Sequence, residues 1–281
     1  MLKSVYQIQK VVIIMKKNIL DSPFIKDTVD MISNMYRLGW DERNGGNVSC
    51  ILNSDEVAEY IDINRYQRIF PFDFDAKEIA GKIFIVTGTG KYFRNAASSP
   101  ETVLGIIKIL ENGRQAGLLW GFEDGGAPTS ELASHLMSHI ERLKKDSRHR
   151  VIFHTHPANV IAMTHIHPLA EKAFTKTLWR MITECALVFP DGVGLLDWMV
   201  CGRDEIGRAT AEKMKDHHAV IWAYHGVFGT GNTLDEAFGL VETIEKAAEI
   251  YVKISGKAAN PGISDKQLRE LSDAYGLGLN I

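Results

Sequence analysis

Val151-Ile152-Phe153-His154-Thr155-His156 is the stretch on which the reading of this sequence turns. A β-branched and aromatic run has the composition of a buried strand. Side chains two apart on a strand point the same way, so both imidazoles lean toward one point from a stiff element. That makes a preformed chelate for a metal ion. A third candidate, His225, ends the apolar run Ala219-Val220-Ile221-Trp222-Ala223-Tyr224 and is followed by Gly226. Three histidines with a fourth position open are the arrangement of a catalytic zinc, whereas closed structural sites are rich in cysteine. Glu131, in Thr129-Ser130-Glu131-Leu132, opens a helix, where the macrodipole favours an ionised carboxylate. It is the candidate acid/base group.

Outward from that strand, apolar periodicity predicts helices over Phe24–Leu38, Ser130–Lys145, Ala158–Met163, Ala170–Trp179, Arg203–Lys215 and Thr233–Lys253. A capping box, Ser264-x-x-Gln267, opens a last short helix. Strands are expected at Val48–Leu52, Lys82–Val86, 103–109, 117–122, Ala186–Pro190 and 219–224, with a long mixed loop over 53–80 and a turn at Asp191-Gly192-Val193-Gly194. Strict strand–helix alternation is missing. The expected fold is α/β: a three-layer α/β/α domain over 20–281 with a mixed, largely antiparallel sheet, preceded by an extension over 1–19.

The 281 residues are 45% hydrophobic, enough for a sizeable core, and the net charge of -3 offers nucleic acid no electrostatic partner. Cys50, Cys185 and Cys201 lack the spacing of a disulfide framework and read as buried small hydrophobes in a reducing, cytoplasmic compartment. Val11–Met15 is far shorter than the ~20 residues a spanning helix needs, so no membrane partner is expected.

Other histidine pairs fit metal binding less well. His165-Ile166-His167 precedes Pro168 and reads as a surface loop; His135 and His139 share a helix face without an H-E-x-x-H signature and read as exposed or hydrogen-bonded. His217-His218 reads as a helix C-terminal cap, because adjacent side chains diverge. Two glycine-rich turns, Asn44-Gly45-Gly46-Asn47 and Thr87-Gly88-Thr89-Gly90-Lys91, present backbone N–H groups to an anion, though neither is a Walker loop. With a metal site they point to a small phosphorylated substrate.

In this order, the chain resembles the class II sugar-phosphate aldolases of the aldolase/adducin family. The resemblance rests on Gly39–Asn47, Val86–Lys91, Pro128–Leu132, His154-x-His156, Val188–Gly194 and His225–Gly229, and covers nearly all of the chain after the first fifteen or so residues. It implies one Zn²⁺ held by His154, His156 and His225, with Glu131 as catalytic acid/base. It implies a phosphate pocket from Asn44, Gly46, Asn47, Thr89, Gly90 and Ser130; the family usually has serine at the place of Thr89. It also implies a cytoplasmic homotetramer that reversibly cleaves a phosphorylated ketose, L-rhamnulose 1-phosphate in the nearest branch, to dihydroxyacetone phosphate and L-lactaldehyde through a metal-stabilised enediolate. The alternatives are fuculose-phosphate cleavage or epimerisation on the same fold, a zinc hydrolase, and a non-catalytic adducin-type module.

Overall fold

The computed structural model describes residues 16–257 and 260–281. Residues 1–15 of the expected extension lie outside it, but the fold already includes part of the remainder: Asn18 caps a short 3-10 turn and Ile19 is buried. The chain runs α1 (Pro23–Arg37), β1 (Asn47–Leu52), α2 (Ser54–Ala58), β2 (Arg68–Pro71), β3 (Ile83–Thr87), α3 (Pro100–Val103), β4 (Leu104–Ile109) and β5 (Gln115–Gly121). It continues through α4 (Leu132–Lys145), β6 (Val151–Thr155), α5 (Ala158–Ile166), α6 (Glu171–Met181), α7 (Thr183–Val188) and β7 (Gly194–Leu196). It ends with α8 (Asp204–Lys213), β8 (Ala219–Trp222), β9 (Gly226–Gly231), α9 (Leu234–Ile254) and α10 (Asp265–Tyr275).

Among the described residues the strands form one sheet in the order β2-β5-β4-β3-β1-β6-β9-β8-β7. Every neighbouring pair is antiparallel except β7–β8. Strand alternation divides the core into two layers. Ile83 and Ile85 pack with α1 and α9 residues such as Ile32 and Val241, while Phe84 and Val86 pack with Leu136 and Ile140 of α4. α8 extends the second layer, where Ile206 and Met214 meet Val220, Trp222 and Phe228. The three-layer, largely antiparallel architecture is the one the sequence implies.

Several local expectations need correction. Ala186–Pro190 is not a strand: α7 occupies Thr183–Val188, burying Cys185 and Ala186. A short apolar run carries no periodicity that separates strand from helix. The strand falls later, at β7, which begins on the last residue of the expected turn. The 53–80 loop contains α2 and β2, an edge strand ending at Pro71, where a missing N–H costs no ladder bond. β9 was not anticipated, because glycines at 226, 229 and 231 depress strand propensity. They are there for close approach: a Cβ at Gly231 would press on the Ala237 backbone of α9, and one at Gly226 would overlap the Thr155 carbonyl.

The histidine pairs also differ from expectation. His165 lies in the last turn of α5 with its ring tilted against Tyr224, so the pair does not form a loop. His217 and His218 do not cap α8; they bind the Asp191 turn, His217 Nδ1 reaching the Asp191 carbonyl at 2.7 Å and His218 Nδ1 its carboxylate at 2.8 Å. His135 and His139 are hydrogen-bonded, one of the two states expected of them, and are fully buried; Cys201 is exposed where burial was expected.

Candidate active site

β6 delivers His154 into the layer beneath α4 and α8, where its ring lies against Phe228 and Trp222, centroids 4.7 and 4.9 Å away. The β6–β9 register sets Val227 opposite Thr155, and the His154 Nδ1–H donates to the Val227 carbonyl at 3.1 Å. A carbonyl accepts only, so the His154 proton sits on Nδ1 and Nε2 carries a bare lone pair. His156, one residue past the strand, turns Nδ1 to the Glu42 carboxylate at 2.9 Å, which fixes the same tautomer. His225 stands in the turn between β8 and β9, next to Tyr224 at a positive φ of 63°.

The three rings converge: His154 Nε2 is 3.1 Å from His156 Nε2 and 3.4 Å from His225 Nε2. With the first two protons directed outward, the inward lone pairs repel unless a cation lies between them. A tetrahedral ion about 2.05 Å from each nitrogen would space its ligands about 3.3 Å apart, which these distances bracket. The donor set therefore fits a divalent metal ion of the imidazole-binding kind.

Glu131 occupies the N-cap position of α4, yet its side chain caps nothing. It turns inward, with Oε2 3.8 Å from His154 Nε2, and accepts a hydrogen bond from Asn47 Nδ2 at 2.9 Å. Burial outweighs the lowering effect of the Asn47 hydrogen bond and raises the carboxyl to about 7. The macrodipole argument for ionisation thus loses to desolvation. Burial, with the neighbouring rings, also holds His154 well below the usual imidazole range and His225 at about 4, which keeps both neutral and able to ligate.

The segments expected to hold phosphate meet beside this cluster. The Thr129 N–H bonds the Thr87 carbonyl at 2.9 Å, the Thr89 N–H bonds Ala127 at 2.9 Å, and the Val48 N–H bonds Thr87 Oγ1 at 3.0 Å. Asn44, Thr89, Gly90 and Ser130 are exposed along this seam, whereas Asn47 is buried. Gly46, at a φ of 76°, lies where any Cβ would overlap the buried Asp41 carboxylate, so this glycine is required by packing as well. Lys91 is paired with Asp124. Glu184 is exposed on α7 and has no ion-pair partner among the described residues.

Three participants escaped the sequence reading. Glu42 orients His156, and its place in the Gly39–Asn47 motif was the available signal. Asp41 receives the Thr155 hydroxyl at 3.2 Å beneath the Gly46 turn. Cys201 has its sulfur within 4.8 Å of ligand-type atoms of Glu131 and His225, at the mouth of the site.

Residues 26–252 match the profile described as "Class II Aldolase and Adducin N-terminal domain". The chain belongs to the class II aldolase family. As a member of it, the protein is a class II sugar-phosphate aldolase, a carbon–carbon lyase. It is 51% identical to a rhamnulose-1-phosphate aldolase of Listeria monocytogenes over 264 residues, covering 94% of this chain and 97% of the relative. An Enterococcus faecalis protein of the same name is 50% identical, covering 92% of this chain and 94% of its own. Among solved structures, a sugar-phosphate aldolase from Thermotoga maritima superposes with a TM-score of 0.72 at 26% identity, covering 85% of this chain and 97% of that one. An L-fuculose 1-phosphate aldolase at 17% identity and TM-score 0.59, covering 91% and 97%, shares the class II aldolase fold. Among the described residues, no helix is long and apolar enough to cross a membrane.

Proposed function

We propose that this protein is a zinc-dependent aldolase that reversibly cleaves L-rhamnulose 1-phosphate to dihydroxyacetone phosphate and L-lactaldehyde. The observation that carries the reading is the convergence of three imidazole Nε2 atoms beside the buried Glu131, in a chain half-identical to relatives bearing that name. His154, His156 and His225 would hold the ion. When bound, it would supply Lewis acidity to the ketose oxygens.

The rest is work for the side chains. Asn44, Gly46, Asn47, Thr89, Gly90 and Ser130 would anchor the phosphate, leaving the hydroxymethyl end of dihydroxyacetone phosphate directed at Glu131. In the synthetic direction Glu131 takes the proton from that carbon, which then attacks the aldehyde carbon of L-lactaldehyde while the aldehyde oxygen gains a proton from solvent. In cleavage that hydroxyl gives its proton back to solvent as the carbon–carbon bond breaks, and Glu131 returns its proton to the carbon. The buried Glu131 carboxylate, 3.8 Å from His154 Nε2, would take the proton in one direction and return it in the other. The buried setting limits competing protonation by water.

The protein is also proposed to work as a cytoplasmic homotetramer. Exposed Trp198 and Val200, 64% and 55% accessible next to Cys201, support burial in an assembly, and three free thiols support a reducing compartment. Sedimentation of the purified protein checks the assembly; a monomer at working concentration contradicts it.

A panel of ketose 1-phosphates in a coupled assay tests the function. L-Rhamnulose 1-phosphate is expected to give the highest kcat/KM, with activity lost to a chelator and restored by Zn²⁺. Preference for L-fuculose 1-phosphate would move the assignment to the sibling reaction. Full activity in metal-free protein would overturn the mechanism.

A further inference from the structure

A second group of histidines lies in the core on the far side of Glu131, and the proposed reaction leaves it unused. Glu131 Oε2 accepts from Asn47 Nδ2 at 2.9 Å, and Asn47 Oδ1 bonds His135 Nε2. His135 Nδ1 meets Ser49 Oγ at 2.7 Å, and the same hydroxyl meets His139 Nε2 at 2.8 Å. His139 Nδ1 meets His149 Nε2 at 2.8 Å, and His149 Nδ1 meets Thr230 Oγ1 at 2.9 Å. All these side chains are buried. The chain links α4, β1, the loop before β6, and β9.

We propose that Ser49, His135, His139 and His149 are positioning residues for Glu131, acting as a one-directional hydrogen-bond relay that holds the Asn47 amide against the carboxylate. The proposal rests on Glu131 being the acid/base group.

The direction follows from the donor and acceptor inventory. An ionised carboxylate only accepts, so Asn47 must present its amide and turn its oxygen to His135. His135 must then carry its proton on Nε2, leaving Nδ1 to accept from the Ser49 hydroxyl. That hydroxyl, having given its proton forward, accepts from His139 Nε2–H. His139 Nδ1 accepts from His149 Nε2–H, and His149 Nδ1 accepts from the Thr230 hydroxyl. Burial keeps the rings neutral, His135 and His149 near 3 and His139 well below the usual range, so each has one donor and one acceptor and both are used.

A set of merely satisfied core groups would not need one polarity. Here it decides which end of Asn47 faces Glu131, because an amide oxygen there would repel the carboxylate. Breaking the relay at Ser49 removes the donor that holds His135 in its Nε2–H form, and Asn47 loses its reason to keep the amide inward.

Nitrogen-15 histidine NMR on the metal-loaded enzyme tests this at a pH where Glu131 is ionised. His135, His139 and His149 are each expected to show the Nε2–H tautomer alone; a proton resident on Nδ1 of any of them overturns the relay. In Ser49→Ala, His135 is expected to give a mixed tautomer signature. Its kcat should fall about tenfold, the cost of one hydrogen bond to a charged group, with metal content unchanged. A wild-type kcat in that variant overturns the proposal, and should the variant fail to fold, the wild-type tautomers decide. The tautomers are read without substrate. An enzyme silent on every ketose phosphate would defeat the functional reading, while the ring protons would still report the relay.

Discussion

Two trios of histidines lie within the same protein interior, and their wiring makes them opposites. In His154, His156 and His225, two Nδ1 protons are spent on the Val227 carbonyl and the Glu42 carboxylate, and the Nε2 atoms face one another with nothing to share. In His135, His139 and His149, every ring nitrogen faces a neutral partner able to complement it. Burial depresses the basicity of His154 and His225 as it does that of the core rings. What distinguishes a cation site from a polar core is whether the lone pairs are left over, not how many imidazoles gather.

The comparison can be broken most sharply at the residue between the trios. Glu131→Ala is expected to lower kcat by about 10²–10⁴-fold while the ligand trio still holds its metal. Steady-state kinetics beside metal analysis checks this, and joint loss of metal and turnover would mean that Glu131 belongs to the metal-binding set. Next comes the orienting carboxylate. Glu42→Ala should weaken metal affinity about 10–100-fold in a competition titration, since His156 loses the partner that fixes its tautomer. An unchanged affinity would place the control elsewhere.

Acid is expected to lower stability through His154 and His225 and also through the core trio. Its rings hold fewer protons folded than unfolded between their lowered values, about 3 for His135 and His149, and the ordinary 6.5. Their contribution is complete above 6.5 and is lost as pH falls toward the folded values, by at most about 1.4 kcal/mol per pH unit for each ring. Urea unfolding at pH 7 and pH 5 measures it; equal stabilities would show that the buried rings take up protons as readily as the unfolded chain does. The smallest effect is expected from the solvent-facing His165, whose ring is tilted against Tyr224. His165→Ala should leave metal content unchanged and move stability by no more than about 0.5 kcal/mol. A larger loss in a thermal melt would give the surface pair a role neither trio predicts.

Local pattern made much of this legible. The period of two along Val151–His156 put His154 and His156 on a common point, and α4 and α9 were visible from their apolar stripes. Where pattern failed, the cause was short-range ambiguity or a constraint imposed from outside the element. Residues 186–190 carry too few positions to distinguish helix from strand, and the packing of α7 against α9 settles the matter. β9 is glycine-rich because α9 and the Thr155 carbonyl press against it.

Identity and spacing of residues were enough to name three histidines, one glutamate and two glycine turns, because alternation along a strand and conformational freedom at glycine are properties of short segments. Folding had to supply the rest: the 3.1 and 3.4 Å approaches of the Nε2 atoms, the Glu42 contact, and the line from Thr230 to Glu131. These join groups far apart in the chain, such as Ser49 and His139, 90 positions distant. Hydrogen-bond direction and desolvation depend on what surrounds a group in space, and no window along the chain contains that.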